Sequence, residues 1–592
     1  MMKPMNADRY TTLSLAELLV GSILIASLLT ACDAGSFLTA DPVDFYSPQN
    51  SYVTADDYDA AVMQLYHDVR NEFNSSASGD DFPNLAYQAT DMYYNHKDIG
   101  QFEPISSLLQ PENSNLIYSS LWEPAYRIIF DANVIINRAS SEENKLTQQE
   151  ATAYEAEARF FRGYMYKLLA NIYGGVPIIL EEVTEPRRDF VRASRQETYQ
   201  QAANDLSFAA ENLDGIEEMP DERINNLAAY HVLSEVYISL EQWSDAINAA
   251  SQVIGDPNTA LMTERFGNRK SDRALIPQHE TNVFWDLFRQ GNQNRSSGNT
   301  EAIWVLQYEW QTPGGNNGGP LLERIFSPRS WQAKVENNDG STSPLVPGPN
   351  AFTAGRSSGF IAPTPWFRKT LWRNSDNWDG GNWSERDDIR NSMSNIVRDF
   401  MVRNPDSDHN GKFIYKDDVP VRMASLNDTT RNLFPSVFWV MKTSTPGQQP
   451  AAAFLENPVV EGGLSFGHRA YRDVYAIRLA ETYLLRAEAY LGDGNASAAA
   501  SDINVVRSRA QAPPVSASDI DIDYILNERA RELHLEENRL ATLMRLEKYV
   551  ERVREHNEAL RNTIEDHNDL WPIPRNEIEK NLEADLEQNP GY

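Results

Sequence analysis

The chain has 592 residues, 41% of them hydrophobic and 10% aromatic, which is enough apolar material for the core of one or two closely packed domains. Its formal net charge of −32 makes nucleic acid an unfavourable partner, because phosphates would be repelled. Arginines outnumber lysines by 41 to 12, and such a composition is typical either of adaptation to high salt or of an ordinary acidic surface protein.

The N-terminus predicts an exported lipoprotein. Residues 18–29 form an apolar run of 12, which suits the core of a signal peptide and is too short to span a membrane as a helix. The run ends in Leu-Thr-Ala-Cys32: a branched residue, two small residues and the only cysteine of the chain, as in a bacterial lipobox. We therefore expect residues 1–31 to be removed as a lipoprotein signal peptide and the Cys32 thiol to carry diacylglycerol. The start stays open between Met1 and Met5.

The region from residue 32 to 254 is predicted to be helical. Apolar and small residues recur at spacings of three and four between Asn225 and Val253, and again between Ile477 and Arg509, which predicts two helical hairpins. Small residues fall where the two helices of each pair would cross, as a 34-residue tetratricopeptide hairpin requires. Further helices are predicted over residues 50–73, 116–139, 150–173 and 194–213, the last two as a third, split hairpin.

Residues 255–470 are predicted to form an irregular, aromatic-rich binding region. Gly, Pro, Asn and Ser are frequent, tryptophans cluster, and short strand-like runs such as Ala302 to Tyr308 replace long helices. A long irregular segment inside a compact protein commonly carries a binding surface. The helical pattern returns over residues 471–592.

One polar loop in this region has the spacing of a calcium site. Asp406, Asp408, Asn410 and Asp417 occupy positions 1, 3, 5 and 12 of a calcium loop, with Gly411 at position 6. The flanking segments are predicted to be strands rather than paired helices, and an aspartate replaces the usual bidentate glutamate. A polar hairpin turn explains the same residues, because Asn-Gly favours that geometry. Bound calcium and a simple turn are both retained as interpretations.

A second short motif, Gly-Leu-Ser465-Phe-Gly, matches the nucleophile elbow of hydrolases. The motif normally follows an apolar strand, which the sequence does not show before Ser465. A surface hydrolase is therefore the least favoured function.

Seven motifs follow one another in a fixed order along the chain. They are Glu155-Ala-Glu-Ala-Arg-Phe-Phe-Arg-Gly-Tyr164, Tyr173-Gly-Gly-Val-Pro177, Ile477-Arg-Leu-Ala-Glu481, Arg486-Ala-Glu-Ala-Tyr490, Glu528-Arg-Ala-Arg-Glu-Leu533, Leu570-Trp-Pro-Ile-Pro574 and Gln588-Asn-Pro-Gly-Tyr592. In this order they resemble the SusD/RagB family of outer-membrane lipoproteins from Bacteroidetes-type bacteria. The chain departs from the family pattern where Gly-His-Arg is common and Glu537-Asn-Arg539 stands here. These motif positions look like fold positions and say little about a ligand.

The resemblance implies a mainly α fold: a tetratricopeptide-like scaffold of about four helical hairpins that carries a large irregular ligand-binding region. It also implies a partner, a SusC-like TonB-dependent outer-membrane transporter, on which this lipid-anchored, cell-surface protein would act as a lid. The implied function is capture of an oligosaccharide and its delivery for import, without catalysis. Capture of peptides or protein fragments is the alternative.

A sugar site needs flat aromatic faces together with planar polar groups. The family's ligand-bearing loops correspond to a polar loop predicted after a helix near residue 93 and to a tryptophan- and glycine-rich stretch between residues 285 and 331. Any single ring there could instead be packed in the core. The candidate ligand contacts are Tyr93, Tyr94, Asn95, Trp285, Trp310 and Trp331.

Overall fold

The computed structural model describes residues 51–74, 86–95, 121–141, 144–271, 280–309, 312, 325–347, 357, 359, 361–372, 388–422, 439–440 and 472–592. Cys32, Trp310 and Ser465 lie outside these ranges. The chain divides into a unit of residues 1–53 and a unit of residues 54–592, and all helices and strands given below belong to the second unit. Within the described ranges, every helix is too short or too polar to cross a lipid bilayer.

Six long helices follow one another in the first half of the described chain. They are α1 (Ala55–Asn74), α2 (Glu123–Ala139), α3 (Gln148–Tyr173), α4 (Arg195–Asn212), α5 (Asn226–Ser239) and α6 (Trp243–Ile254). Local chemistry fixes where several of them begin: Thr147 with Glu150, and Ser194 with Glu197, form capping boxes that satisfy the first N–H groups of α3 and α4.

The middle of the chain has short elements. Its helices are α7 (Val283–Leu287) and α8 (Pro365–Arg368). The strands form four small antiparallel sheets among the described residues. Three of them are pairs: β1 (Tyr93–Asn95) with β5 (Ile361–Pro363), β2 (Ala302–Leu306) with β9 (Val474–Arg478), and β6 (Ile396–Val397) with β8 (Trp439–Val440). In the fourth, β3 (Lys334–Glu336) lies between β4 (Thr342–Pro344) and β7 (Val421–Arg422). The strand predicted from Ala302 is confirmed as β2.

The C-terminal part is helical again, with α9 (Leu479–Gly492), α10 (Ala496–Arg509), α11 (Ile522–Glu532), α12 (Arg539–Arg545), α13 (Tyr549–His556) and α14 (Arg575–Lys580). Each of α1 to α6 packs on the next, α6 packs on α9, and α9 packs on α10. The result is one stack of four helix pairs, which confirms the mainly α, tetratricopeptide-like fold. The domain boundaries at residues 254 and 470 stay predictions.

Close packing in this stack depends on glycine at two crossings. A Cβ atom on Gly163 of α3 would lie 2.9 Å from Leu206 Cγ in α4, and one on Gly492 would lie 2.6 Å from the Trp243 ring at the start of α6. Real Cβ atoms do not come so near other heavy atoms, so larger side chains would force the helices apart.

Helix α11 lies at the centre of a buried ion-pair cluster. Glu528 forms ion pairs with three guanidinium groups, those of Arg390, Arg507 and Arg531, each at 2.8 Å. Glu532, one turn later, pairs with Arg478 at 2.8 Å. Arg390 belongs to the irregular region, so this cluster ties that region to the helical scaffold.

A second buried cluster, around Asp91, anchors the segment before β1. Its carboxylate accepts from Arg539 at 2.6 Å and from Arg552 at 2.9 Å. Burial by itself would raise the pKa of Asp91, but the two guanidinium groups hold it well below its usual range. Asp91 therefore stays ionised and fixes β1 against α12 and α13.

Candidate functional site

The candidate residues Tyr93, Tyr94 and Asn95 form strand β1, not the loop expected for them. The strand runs antiparallel to β5, with Tyr94 opposite Ala362. Successive side chains of a strand point to opposite faces. Tyr93 is buried, whereas Tyr94 and Asn95 are half-buried at the surface.

Tyr93 belongs to the hydrophobic core. Its ring contacts Phe326 edge-on, with 5.0 Å between centroids, and lies 5.3 Å from the Phe367 ring. Only 1% of Tyr93 is exposed, and burial raises the pKa of its hydroxyl. A ring enclosed in this way cannot stack on a sugar, so the prediction of Tyr93 as a ligand contact is wrong.

Polar side chains from three distant parts of the sequence gather around Tyr94. Burial lowers the pKa of Arg368 in α8, and Tyr94, Tyr415 and Glu558 lie near enough to oppose that shift. Tyr415 is 46% exposed and Glu558 is exposed, while Arg368 is buried. We call the set formed by Tyr94, Arg368, Tyr415 and Glu558 the Tyr94 surface. Asn95 follows Tyr94 on the opposite face of β1 and stays a separate prediction.

The end of α13 places Glu558 beside Tyr94. The side-chain amide of Asn557 donates to the backbone oxygens of Thr90 at 2.7 Å and of Tyr93 at 3.1 Å. These two bonds fasten the residue before Glu558 to the backbone of β1. The position of Glu558 therefore follows from main-chain contacts that no local pattern encodes.

A similar clamp places Tyr415. The Arg398 guanidinium donates to the backbone oxygen of Arg368 at 2.9 Å, and the neighbouring Asp399 accepts from the backbone N–H groups of Tyr415 at 3.0 Å and Lys416 at 2.9 Å. The turn that carries Tyr415 is thus held next to α8. The sequence analysis did not identify Tyr415, Arg368 or Glu558 as candidates. A tyrosine a few residues after the Asn-Gly turn was the signal that could have pointed to Tyr415.

Trp366, a residue of α8, packs against α13. Its ring stacks on His556 with 4.3 Å between centroids and 17° between planes, and the Arg552 guanidinium lies 4.8 Å from the ring centroid. Burial and the nearby Arg552 lower the pKa of His556 to about 4, so the imidazole is neutral at physiological pH. The stack holds α8 against α13.

The Tyr94 surface combines the groups that oligosaccharide recognition uses. Burial raises the pKa of Tyr94, with Arg368 opposing the shift, so its hydroxyl is protonated at neutral pH and can both donate and accept. The Glu558 carboxylate can bond sugar hydroxyls, and the rings of Tyr94 and Tyr415 can cover the apolar face of a sugar ring.

The tryptophans named from the sequence have different surroundings. Trp285 of α7 is 2% exposed, and the Arg289 guanidinium lies 4.2 Å from its ring centroid, so its prediction as a ligand contact is wrong. Trp331 is partly exposed, and its Nε1–H donates to the backbone oxygen of Ser357 at 2.9 Å. Trp331 stays a prediction, as does Trp310 outside the described residues.

The four predicted calcium ligands belong to an exposed turn. Asp408 accepts from the backbone N–H of Asn338 at 2.8 Å, and Asp417 accepts from that of Phe413 at 2.7 Å. Asp406 and Asn410 are also exposed. Across the described ranges, no three or more His, Cys, Asp or Glu side chains converge as metal ligands would. The hydrogen bonds of Asp408 and Asp417 therefore serve the turn, and bound calcium stays a prediction.

The turn itself has hairpin geometry. The backbone N–H of Val402 donates to Lys412 O at 2.8 Å, and that of Gly411 donates to Val402 O at 2.8 Å. Gly411 has a φ of +84°, which glycine adopts without strain. These contacts support the alternative interpretation of a polar hairpin turn.

Two family models match this chain. One, described as "SusD family", matches residues 463–592, and the other, "Starch-binding associating with outer membrane", matches residues 46–238. The chain belongs to the SusD/RagB family. The match spans both ends of the helical scaffold.

Curated SusD-like proteins are similar over part of their length. A "SusD-like protein" of Bacteroides ovatus is 27% identical over 296 residues, which cover 49% of this chain and 50% of the relative. "SusD-like protein P25" of Formosa agariphila is 24% identical over 328 residues, which cover 53% of this chain and 57% of the relative. The chain thus spans about half the length of the curated SusD-like relatives it matches.

Solved SusD-like structures share the fold along nearly the whole chain. A "Laminarin binding SusD-like protein" superposes with a TM-score of 0.61 and 19% identity, covering 91% of this chain and all of the other. "Surface glycan-binding protein A from Bacteroides thetaiotaomicron in complex with laminarihexaose" gives a TM-score of 0.61 and 18% identity, with coverage of 91% and 100%. At such identities the likeness establishes the SusD-like fold.

The SusD/RagB motifs of this chain hold the scaffold together. In the first motif, Arg162 of α3 forms two bonds to Asp205 of α4, at 2.6 and 2.8 Å. In the last, Asn589 donates to the backbone oxygens of Tyr173 at 2.9 Å and Trp571 at 2.7 Å. None of these motif residues belongs to the Tyr94 surface, as expected for residues that serve the fold.

Proposed function

We propose that this protein captures an oligosaccharide at the Tyr94 surface and releases it intact. The observation that carries the proposal is the gathering of two tyrosines and a carboxylate around the Arg368 guanidinium. Two structural neighbours are named for laminarin binding or for a laminarihexaose complex, which supports a glucan as the first ligand to try. Trp331 is retained as a further candidate contact.

The test is calorimetric titration of the full chain with a panel that includes laminarihexaose and linear starch oligosaccharides. Tyr415→Ala should weaken binding of the best ligand about fivefold to tenfold, the usual cost of removing an important aromatic contact. Tyr415→Phe, which keeps the ring, should lose less than Tyr415→Ala. Binding that is equal in all three proteins would exclude the Tyr94 surface, and binding of peptides in place of every saccharide would favour the alternative ligand class.

We propose that no glycosidic bond is broken. Incubation of the bound saccharide with the protein should return it at its original length by chromatography. A shorter product that disappears in a Ser465→Ala variant would revive the hydrolase hypothesis and overturn this proposal.

We propose that a lipid on Cys32 holds the protein on the cell surface. Cells fed labelled palmitate should incorporate label into the wild-type protein and not into Cys32→Ser, which should be released into the medium. Surface proteolysis of intact cells tests exposure. Label in both proteins would overturn the assignment of Cys32.

The proposed partner is a SusC-like TonB-dependent transporter that receives the saccharide. Affinity purification of the tagged lipoprotein from gently solubilised outer membranes should recover a TonB-dependent receptor in near-equal amount, and Cys32→Ser should recover less. Purification of the lipoprotein without such a receptor would count against the partnership.

A further inference from the structure

A second concave site is lined by residues that the Tyr94 surface does not use. One face of α2, the chain after α3 from residue 177 to 190, and residues 577–586 near the C-terminus enclose a cavity of about 410 Å³. Tyr126 donates to the backbone oxygen of Pro177 at 2.7 Å, and the Asn581 side chain bonds the backbone of Phe190. These contacts hold the three walls together, so the cavity is built into the fold. We call it the α2 cavity.

An aromatic stripe forms the floor of the α2 cavity. Trp122, Tyr126 and Phe130 follow at intervals of four residues, which places them on one face of the helix. Their ring centroids are 5.0 Å apart for the first pair and 6.2 Å for the second. Phe190 adds a ring from the facing wall. Trp122 and Tyr126 are buried, so the half-buried Phe130 and Phe190 present the ring surface to a ligand.

A charged stripe runs beside the aromatic one. Glu123, Arg127 and Asp131 each follow an aromatic residue by one position. The Arg127 guanidinium is 3.8 Å from Glu123 and 3.9 Å from Asp68 of α1, whereas Asp131 has no hydrogen bond or ion pair within the described ranges. Glu577 adds another carboxylate, paired with Lys580 at 2.9 Å. Of the described side chains lining the cavity, three are carboxylates and one is a guanidinium.

The Asp131 carboxylate is therefore poorly compensated. Partial burial and repulsion from Asp68 raise its pKa to about 6, although Arg127 acts in the opposite direction. At neutral pH the cavity holds a negative charge next to aromatic faces. A cation would be attracted to both, through Coulomb interaction and through the ring quadrupoles.

We propose that the α2 cavity is a docking site for a partner protein, which inserts a lysine or arginine side chain flanked by apolar residues. The cationic head would pair with Asp131 and its stem would lie on Phe130 and Phe190. A protein is favoured over a free amine because exposed apolar side chains are neighbours in sequence of the residues that line or close the cavity. Leu180 is 39% exposed, Val183 38%, Val191 66% and Leu582 70%. A small amine would leave those side chains uncovered.

The test uses defined probes with the full chain. A blocked peptide Gly-Leu-Lys-Leu-Gly, the same peptide with norleucine for lysine, and free phenethylamine are compared by ligand-observed NMR. The lysine peptide should bind about tenfold more tightly than the norleucine peptide, as a charge-assisted contact implies. Asp131→Asn should remove that difference, while Asp214→Asn, an equal charge change at an exposed residue outside the cavity, should leave it intact.

Phe130→Leu separates cation binding from plain apolar contact. It keeps apolar volume and removes the ring, so the lysine peptide should lose about twofold to fivefold in affinity while the norleucine peptide changes little. Equal binding of both peptides to the wild type, or an unchanged preference in Asp131→Asn, would overturn the proposal. Phenethylamine binding as tightly as the lysine peptide would assign the site to a small amine and overturn the protein partner. Saccharide binding should be unaffected in Asp131→Asn, so the two proposals can fail independently.

Discussion

The Asp91 cluster and the Tyr94 surface both involve the chain at strand β1, and both contain arginine. In the Asp91 cluster, two buried guanidinium groups share one buried carboxylate at 2.6 and 2.9 Å. At the Tyr94 surface, Arg368 is also buried, yet it lies near two tyrosines and an exposed carboxylate. A fully paired cluster has no bonding capacity left for a ligand. A surface whose polar groups reach solvent retains that capacity.

The largest effect on stability is expected from removing the Asp91 carboxylate, which Arg539 and Arg552 share. Asp91→Ala leaves two buried guanidinium groups without their strongest partner and should lower the free energy of unfolding by about 3–5 kcal/mol. Urea denaturation measures this loss of unfolding free energy. Asp523→Ala is the matched control, because Asp523 also pairs with Arg552, at 3.2 Å, but its side chain is 38% exposed. Asp523→Ala should lower the free energy of unfolding by about 1 kcal/mol or less. Equal losses in the two variants would show that burial does not set the strength of these pairs.

The α11 cluster should make stability depend on acid. Burial opposes ionisation of Glu528, but Arg390, Arg531 and Arg507 lower its pKa from 4.5 to about 2. A carboxyl group whose pKa is depressed in the folded state contributes stability above its unfolded pKa and loses that contribution as the pH falls through the folded value. Here the contribution should be on the order of 3 kcal/mol, complete above pH 4.5 and lost towards pH 2.

Glu528→Gln tests this pH dependence directly. The difference in unfolding free energy between wild type and variant should be largest at neutral pH and shrink as the pH falls from 4.5 to 2. Glu211→Gln, at an exposed position of α4, provides the control. A difference that is constant with pH would mean that folding does not change the pKa of Glu528.

Unlike the buried ion-pair clusters, the Tyr94 surface should contribute little to stability and much to ligand binding. Tyr94→Ala removes a half-buried ring and should cost about 1 kcal/mol of unfolding free energy, while affinity for the bound saccharide falls about tenfold. Thermal unfolding and calorimetric titration on the same preparation measure the two quantities. A large loss of stability with unchanged affinity would place Tyr94 with Tyr93 in the core.

The helical hairpins were predictable because their signals are local. The hairpin expected from Asn225 to Val253 is observed as α5 and α6, which span Asn226 to Ile254. Apolar spacing and caps act within a few residues, so the sequence alone carries them. Trp285 was misjudged because α7 has only five residues, too few to show a helical period that would mark its buried side.

The binding surface was only partly predictable, since it depends on contacts between distant segments. Tyr94 was found from an aromatic, polar loop pattern, but Tyr415 is brought beside Arg368 by bonds from Arg398 and Asp399. No spacing rule relates such residues. The same limit explains the calcium prediction, because ligand spacing along the chain does not establish that side chains converge.

The smallest effect on stability is expected from an arginine–carboxylate ion pair that is exposed to solvent. Glu336 of β3 and Arg422 of β7 form two parallel bonds, at 2.7 and 3.1 Å, the same bidentate geometry found in the buried pairs. The Arg422 side chain is 62% exposed, so water and salt screen the attraction. A double-mutant cycle with Glu336→Gln and Arg422→Gln should give a coupling within error of zero at moderate salt. A coupling as large as that of Asp91 with Arg539 would mean that geometry, rather than burial, sets the strength of ion pairs in this protein.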